Sequence, residues 1–153
     1  MPGSWHHTRS EYNFARVAAA FDAVSDWILE GAVRFWMKRS IDLEEKALNK
    51  FSPELARLET QLPITTTGLW RPAPDEILVI EFQDPMADFR GLQLALSLWH
   101  TLDYANRPTS INQAQLEPDQ DGVFRVVISH QDPGLYNWLD TMGLEHGIMI
   151  LRL

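Results

Sequence analysis

Hydrophobic positions in the first quarter of the chain recur with a helical period. Phe14, Val17, Phe21, Val24, Ile28, Gly31 and Phe35 fall at alternating spacings of three and four. At 100° per residue they form one stripe, widened by Ala18, Ala32 and Trp36, with Asp22, Asp26, Glu30 and Arg34 opposite. The pattern predicts an amphipathic helix from about Tyr12 to Arg39. Its near-heptad spacing suits packing against another helix, including one from a second subunit. Gly31 on the stripe costs about 1 kcal/mol of helix propensity and allows close approach. Trp27 lies off the stripe, beside the polar face. A second helical piece is expected over Ile41–Lys50 with Ser40 as its N-cap. A third is expected to start at Ser52-Pro53-Glu54 and to fade by Gln61. Pro63, the Thr65–Gly68 run, Pro72 and Pro74 then read as an extended linker.

Beyond the linker the pattern becomes strand-like. Glu76 to Phe82 is nearly all apolar, which predicts a strand covered on both faces. Gly91 to Trp99 alternates, with Leu92, Leu94, Leu96 and Leu98 on one side. Ser110–Glu117 and Val123–His130 flank Asp121-Gly122, which reads as a hairpin turn. Phe124, Val126, Ile128 and His130 share one face of the second run. Ile148–Leu153 forms a final strand. The expected organisation is a loose leader (1–10), a helical segment (11–62), a linker (63–75) and an antiparallel β domain (76–153).

The hydrophobic fraction of 45% is ordinary for a soluble domain. A net charge of −8 disfavours nucleic acid and anionic membranes as partners. Arg34, Lys38 and Arg39 form a local basic group that reads as a solvated helix end. The absence of cysteine removes disulfides, thiolate nucleophiles and Cys-type metal sites. No apolar run reaches membrane-spanning length and no signal peptide is visible, so a cytoplasmic location is expected.

Three segments in the last third carry a resemblance. They are Arg107-Pro108-Thr109-Ser110-Ile111-Asn112-Gln113-Ala114-Gln115; Asp121-Gly122 with Val126–His130; and Asp132-Pro133-Gly134 with Asn137-Trp138-Leu139-Asp140-Thr141, Gly143, Gly147 and Arg152. In order and spacing, residues 76–153 resemble the family known as domain of unknown function 1214 (DUF 1214). The resemblance implies an antiparallel β-sandwich of jelly-roll type and no agreed chemistry. Where that family usually has a histidine after the glycine at position 143, this chain has Leu144, and its histidine comes at His146.

The residues themselves suggest structural roles in the tail. Pro133-Gly134 suits a turn with positive φ at the glycine, and Asp132 or Asn137 can cap nearby amides. Trp138 can plug one end of the sandwich, and Asp140 can accept from its own loop or from Arg152. Acid–base candidates are Asp132 and Asp140 paired with His130 or His146. A ligand pocket is expected from Trp99, Asn112, His130, Asn137, Trp138 and Asp140. No metal-ligand spacing, serine-nucleophile elbow or phosphate-cradling loop is present, so neither metal nor organic cofactor is expected. The fold class expected is α+β, with N-terminal amphipathic helices and a C-terminal antiparallel sandwich. A thin sandwich leaves exposed edges, which points to a homo-oligomer with Phe14, Phe21, Ile28 and Phe35 in the interface. Two functions remain: a small-molecule or carbohydrate-binding domain with hydrolase or lyase chemistry as an option, and a non-catalytic assembly domain.

Overall fold

The computed structural model describes residues 13–52, 65–84 and 87–153. The leader (1–10) and the body of the third expected helix (53–61) lie outside them. The chain divides into two compact units at Trp36/Met37.

The first unit is helical. α1 spans Phe14–Trp27, capped by Asn13, whose side chain accepts from the Arg16 amide at 3.2 Å. A π-helical segment follows over Ile28–Arg34. Neither buries a single residue. The stripe is therefore open: Phe14 is 85% exposed and Phe21 70%. The π segment winds more residues into each turn, so the stripe does not keep its phase to Phe35. α2 (Phe35–Ala47) carries the helix further than expected. Ser40 is interior to it rather than a cap, and its hydroxyl donates to the Ser97 carbonyl at 2.6 Å. The basic group at Arg34, Lys38 and Arg39 is likewise not at a helix end. Arg34 pairs with Glu30, and Lys38 with Asp42 at 3.1 Å.

The second unit contains seven strands among the described residues: β1 Thr65–Trp70, β2 Leu78–Phe82, β3 Gly91–Ala95, β4 Ser110–Asn112, β5 Phe124–Ser129, β6 Trp138–Asp140 and β7 Gly147–Arg152. They form a four-stranded sheet, β1-β7-β3-β4, and a three-stranded sheet, β2-β5-β6. The class is α+β with a C-terminal sheet region, as the hydrophobic pattern indicates. The sheets share a core. Trp70, Leu92, Leu94, Met149 and Leu151 come from the first, and Ile80, Phe124, Val126, Ile128 and Leu139 from the second. The outer face of the larger sheet is covered separately: Leu69, Ala95, Ile148 and Ile150 pack with Leu43 and Ala47 of α2.

Four expectations change here. The segment 63–75 is not simply a linker: Thr65–Trp70 is β1, paired over six residues with β7. Its β-branched threonines favour extended backbone, and Leu69 and Trp70 bury on opposite faces. Its outer edge is met by residues 49–52. The Asn49 amide donates to the Leu69 carbonyl at 2.6 Å, and the Ser52 amide to Thr67 at 2.8 Å. β2 is open on one face, with Val79 and Glu81 exposed; it is apolar without being covered on both sides. The Asp121-Gly122 turn forms, with Gly122 at φ 80°, but its flanks do not make a ladder. One bridge joins Pro118 to Phe124. β4 then pairs with β3 while β5 pairs with β2, so the turn hands the chain from one sheet to the other. Finally, β5 and β6 are parallel rather than antiparallel. β6 is formed by the Trp-Leu-Asp of the tail motif itself.

β7 is central, and Gly147 begins it for a steric reason. A Cβ there would lie 2.4 Å from the Ala95 carbonyl oxygen and 2.5 Å from the Trp70 indole. The Trp70 indole N–H donates to the Ile148 carbonyl at 3.2 Å, locking the ring over the glycine.

Candidate functional site

The tail motif is built from interlocking turns. Asp132 Oδ1 accepts from the Gly134 amide at 2.8 Å, and Gly134 sits at φ 69°, as the Asp-Pro-Gly sequence predicts. Asn137 also has positive φ (56°). Its Oδ1 accepts from the Glu117 amide at 3.0 Å, and its Nδ2 donates to the carbonyls of Glu117 (2.7 Å) and Arg125 (3.0 Å). Asp140 is almost wholly buried, at 2% exposure. It accepts from Arg107 Nε at 2.6 Å and from the Met142 amide at 2.7 Å. Its partners are thus its own loop and Arg107; Arg152 instead reaches Gln93 at 3.1 Å.

Met142 and Gly143 both have positive φ (57° and 75°), and the Leu144 amide closes the turn on the Thr141 carbonyl at 3.0 Å. Such a turn normally asks for Asn or Gly at its first central position. A methionine there costs about 1–3 kcal/mol, offset by the Asp140 cap on its amide. Thr141, fully buried, approaches His130 Nδ1 through its hydroxyl at 2.9 Å. His130 Nε2 lies 3.4 Å from the Pro72 carbonyl. That carbonyl can only accept, so Nε2 is the donor in this contact, and the Thr141 hydroxyl takes up Nδ1.

A cavity of about 620 Å³ opens beside this arrangement. One wall is the segment Arg71-Pro72-Ala73-Pro74 with Glu76, and the other is His130 with Gly143, Glu145 and His146. A second cavity, of about 480 Å³, lies across the turn and shares Gly143, Glu145 and His146, adding Leu96, Leu98 and His100. Glu76 is held by the Ala73 amide at 3.0 Å, and Arg71 is paired with Glu44 at 2.7 Å. Glu145 and His146 are exposed and have no hydrogen-bond or ion-pair partner among the described residues.

The pocket residues expected from the sequence are dispersed. His130 lines the larger cavity, together with the acid–base candidate His146. Trp99 packs against the cluster between α2 and the larger sheet. Asn112 caps the Ala114 amide at 2.9 Å in a local turn. Asn137 and Asp140 are committed to the contacts above, and Trp138 stands on β6 with its indole nitrogen buried. No hydrogen bond joins Asp132 or Asp140 to His130 or His146 among the described residues, so the expected acid–base pairs are not assembled. Nor does any group of three His, Asp or Glu residues there have metal-holding geometry. The wall residues 71–76 were hidden by their reading as linker, although two prolines spaced by one residue mark a stiff extended segment. Glu145 carried no signal beyond its place next to His146.

A dense charge network lies on the open face of the smaller sheet. Arg125 binds Glu81 (2.6 Å), Asp119 (2.5 Å) and Asp121 (2.8 Å). These contacts raise the Arg125 pKa, and its guanidinium holds the Asp121 carboxyl below its ordinary 3.8. This is a brace for the Asp-Gly turn.

No protein-family model matches this chain, and no curated protein matches it. A crystal structure of an uncharacterised protein from Burkholderia cenocepacia is similar, with a TM-score of 0.67 and 25% identity. The match covers 76% of this chain and 34% of that one. The chain therefore spans about a third of the length of that protein. Among the described residues, no helix is long and apolar enough to cross a membrane.

Proposed function

We propose that this protein is a small-molecule-binding domain whose site is the cavity between Arg71–Glu76 and the Gly143–His146 turn. The observation that carries this reading is one cavity wall of stiff, largely apolar backbone facing two polar side chains, Glu145 and His146, that have no hydrogen-bond or ion-pair partner among the described residues. Its volume of about 620 Å³ falls in the range that holds small organic ligands. A carbohydrate is the weaker form of the reading, because neither Trp99 nor Trp138 is among the lining residues on which a sugar ring could stack. The test is a metabolite panel screened by melting temperature. Binders should raise the transition in the wild type and lose most of that effect in His146→Ala and Glu145→Ala, whose exposed positions leave the fold intact. A panel without a single shift, or shifts indifferent to both variants, would refute the reading.

A second function is favoured by a separate observation. Phe14, Phe21 and Ile28 remain exposed on one helix face in the single chain, and helices in proteins draw most of their stability from packing such a face. We propose that this face packs against a second copy of the chain. Sedimentation should show a dimer or larger species that dissociates when Phe21 and Ile28 are changed to glutamine; a monomeric wild type would remove the proposal. We also propose kinship of residues 76–153 with DUF 1214, supported by the turn and cap roles of Asp132, Gly134, Asn137 and Asp140.

A further inference from the structure

The charge and shape of the cavity say more than that it binds something. We infer that its ligand is a small primary amine with an apolar body, held as the ammonium. This rests on the cavity being the binding site, as proposed above.

Among the described residues that line the cavity, two carboxylates, Glu76 and Glu145, stand against one guanidinium, Arg71, and the rings of His130 and His146. That guanidinium is already neutralised by Glu44. Among the described lining residues an anionic ligand would therefore meet two carboxylates, an arginine that is already paired, and the His146 ring as a donor. One Glu76 oxygen is occupied by the Ala73 amide, whereas Glu145 has both oxygens available. His130 turns Nε2 toward the Pro72 carbonyl and Nδ1 toward the Thr141 hydroxyl. Neither nitrogen of that ring is left over to donate to an acid group. Even with the His146 ring counted as a donor, the three free carboxylate oxygens of Glu76 and Glu145 make the described lining richer in acceptors, which suits a ligand whose head donates hydrogen bonds and carries positive charge.

The rest of the wall fixes the ligand's other end. Pro72, Ala73 and Pro74 offer ring methylenes and a methyl and, the two prolines having no N–H, only one backbone donor, which Glu76 already holds. A hydrocarbon body can lie on that surface without stranding a buried donor. Among the described residues no Phe, Tyr or Trp lines the cavity, so a quaternary ammonium, which needs an aromatic cage, fits less well than an –NH₃⁺.

The experiment uses n-hexylamine, n-hexanoate and n-hexanol on the full chain at pH 7.5, followed by backbone amide shifts in NMR. The expected result is that hexylamine perturbs Gly143, Glu145 and Gly147 and binds at least tenfold more tightly than the other two. Glu145→Gln should weaken hexylamine at least threefold and leave hexanol unchanged. Glu81→Gln, on β2, outside the lining and bound by Arg125, should change neither. Hexanoate or hexanol binding at these amides as tightly as the amine overturns the ligand class and leaves the cavity as the site. If none of the three perturbs these amides, both the class and the site are wrong. The wild-type comparison of the three probes decides the matter even if a variant folds poorly.

Discussion

Asn137 is the residue on which the joint between the tail and the smaller sheet depends most. It is 9% exposed and sits at φ 56°. Its amide makes three hydrogen bonds, to Glu117 N, Glu117 O and Arg125 O, all 3.0 Å or shorter. Asn137→Ala removes all three and leaves backbone groups to find water at a half-buried joint. At about 1 kcal/mol each, the hydrogen bonds contribute roughly 3 kcal/mol. Alanine also pays about 1 kcal/mol for left-handed backbone that asparagine tolerates better. The expected loss is therefore about 3–4 kcal/mol. Asn137→Gly loses the same hydrogen bonds without the left-handed strain and should retain about 1 kcal/mol more than alanine. Asn137→Asp keeps the acceptor for Glu117 N but points a second oxygen at two carbonyls, so it should be no better than alanine near neutral pH. Equilibrium urea unfolding, followed by the sheet circular dichroism band and by tryptophan fluorescence, measures each difference. An alanine variant that loses less than about 1 kcal/mol, or an aspartate variant as stable as wild type, would refute the account.

Gly147→Ala should cost at least about 2–3 kcal/mol, because its Cβ has no room beside Ala95 and Trp70; Gly134→Ala, with open space but φ 69°, should cost about 1 kcal/mol. Calorimetry that ranks them in the reverse order would contradict this. In a carboxyl NMR titration Asp121 should ionise below 3.8 and move upward in Arg125→Gln, since that guanidinium is the largest cause of its depression. A depressed folded pKa stabilises above the unfolded value and is lost as pH falls through the folded one. Arg125→Gln should therefore flatten the acid limb of the stability curve, and an unmoved Asp121 midpoint would count against the brace. Arg107→Gln leaves the buried Asp140 carboxylate with one partner fewer and should cost about 1–3 kcal/mol, discounted because Arg107 is half exposed; denaturation showing a change under about 0.5 kcal/mol would exclude that role.

The sequence carries the sheet faces well and the sheet connections poorly. Phe124, Val126 and Ile128 alternate cleanly, and all three are core. That periodicity reports burial, which is a local consequence of pleating. Pairing is non-local: nothing near Asp121-Gly122 states that β4 and β5 go to different sheets. β1 was concealed because its flanking prolines and its glycine resemble loop composition, while the evidence for it lies 80 residues away in β7. The helix stripe is legible to Ile28, but the π segment after it has no signature in hydrophobic spacing. For the site, the conspicuous polar residues of the tail proved to be the ones already satisfied. Asn137 and Asp140 advertise themselves through a specific motif because fixed turns need particular side chains. Glu145 and His146 belong to no such geometric demand, so the pattern does not single them out.

That division has a mechanical logic. The Arg107–Asp140 pair caps the Met142 amide and holds a turn that methionine would not adopt unaided. The same turn begins with Thr141, whose hydroxyl meets His130, which in turn reaches the Pro72 carbonyl. Both walls of the cavity are thereby tied to one point: the proline segment through His130, and the Gly143–His146 edge through the turn itself. A ligand bound between them would meet surfaces whose separation is held by part-buried hydrogen bonds, with the exposed Glu145 and His146 side chains left to adjust. Binding energy is then not spent on ordering the walls. The tail motif acts on the cavity by building it, and residues that touch no ligand set the spacing of those that can.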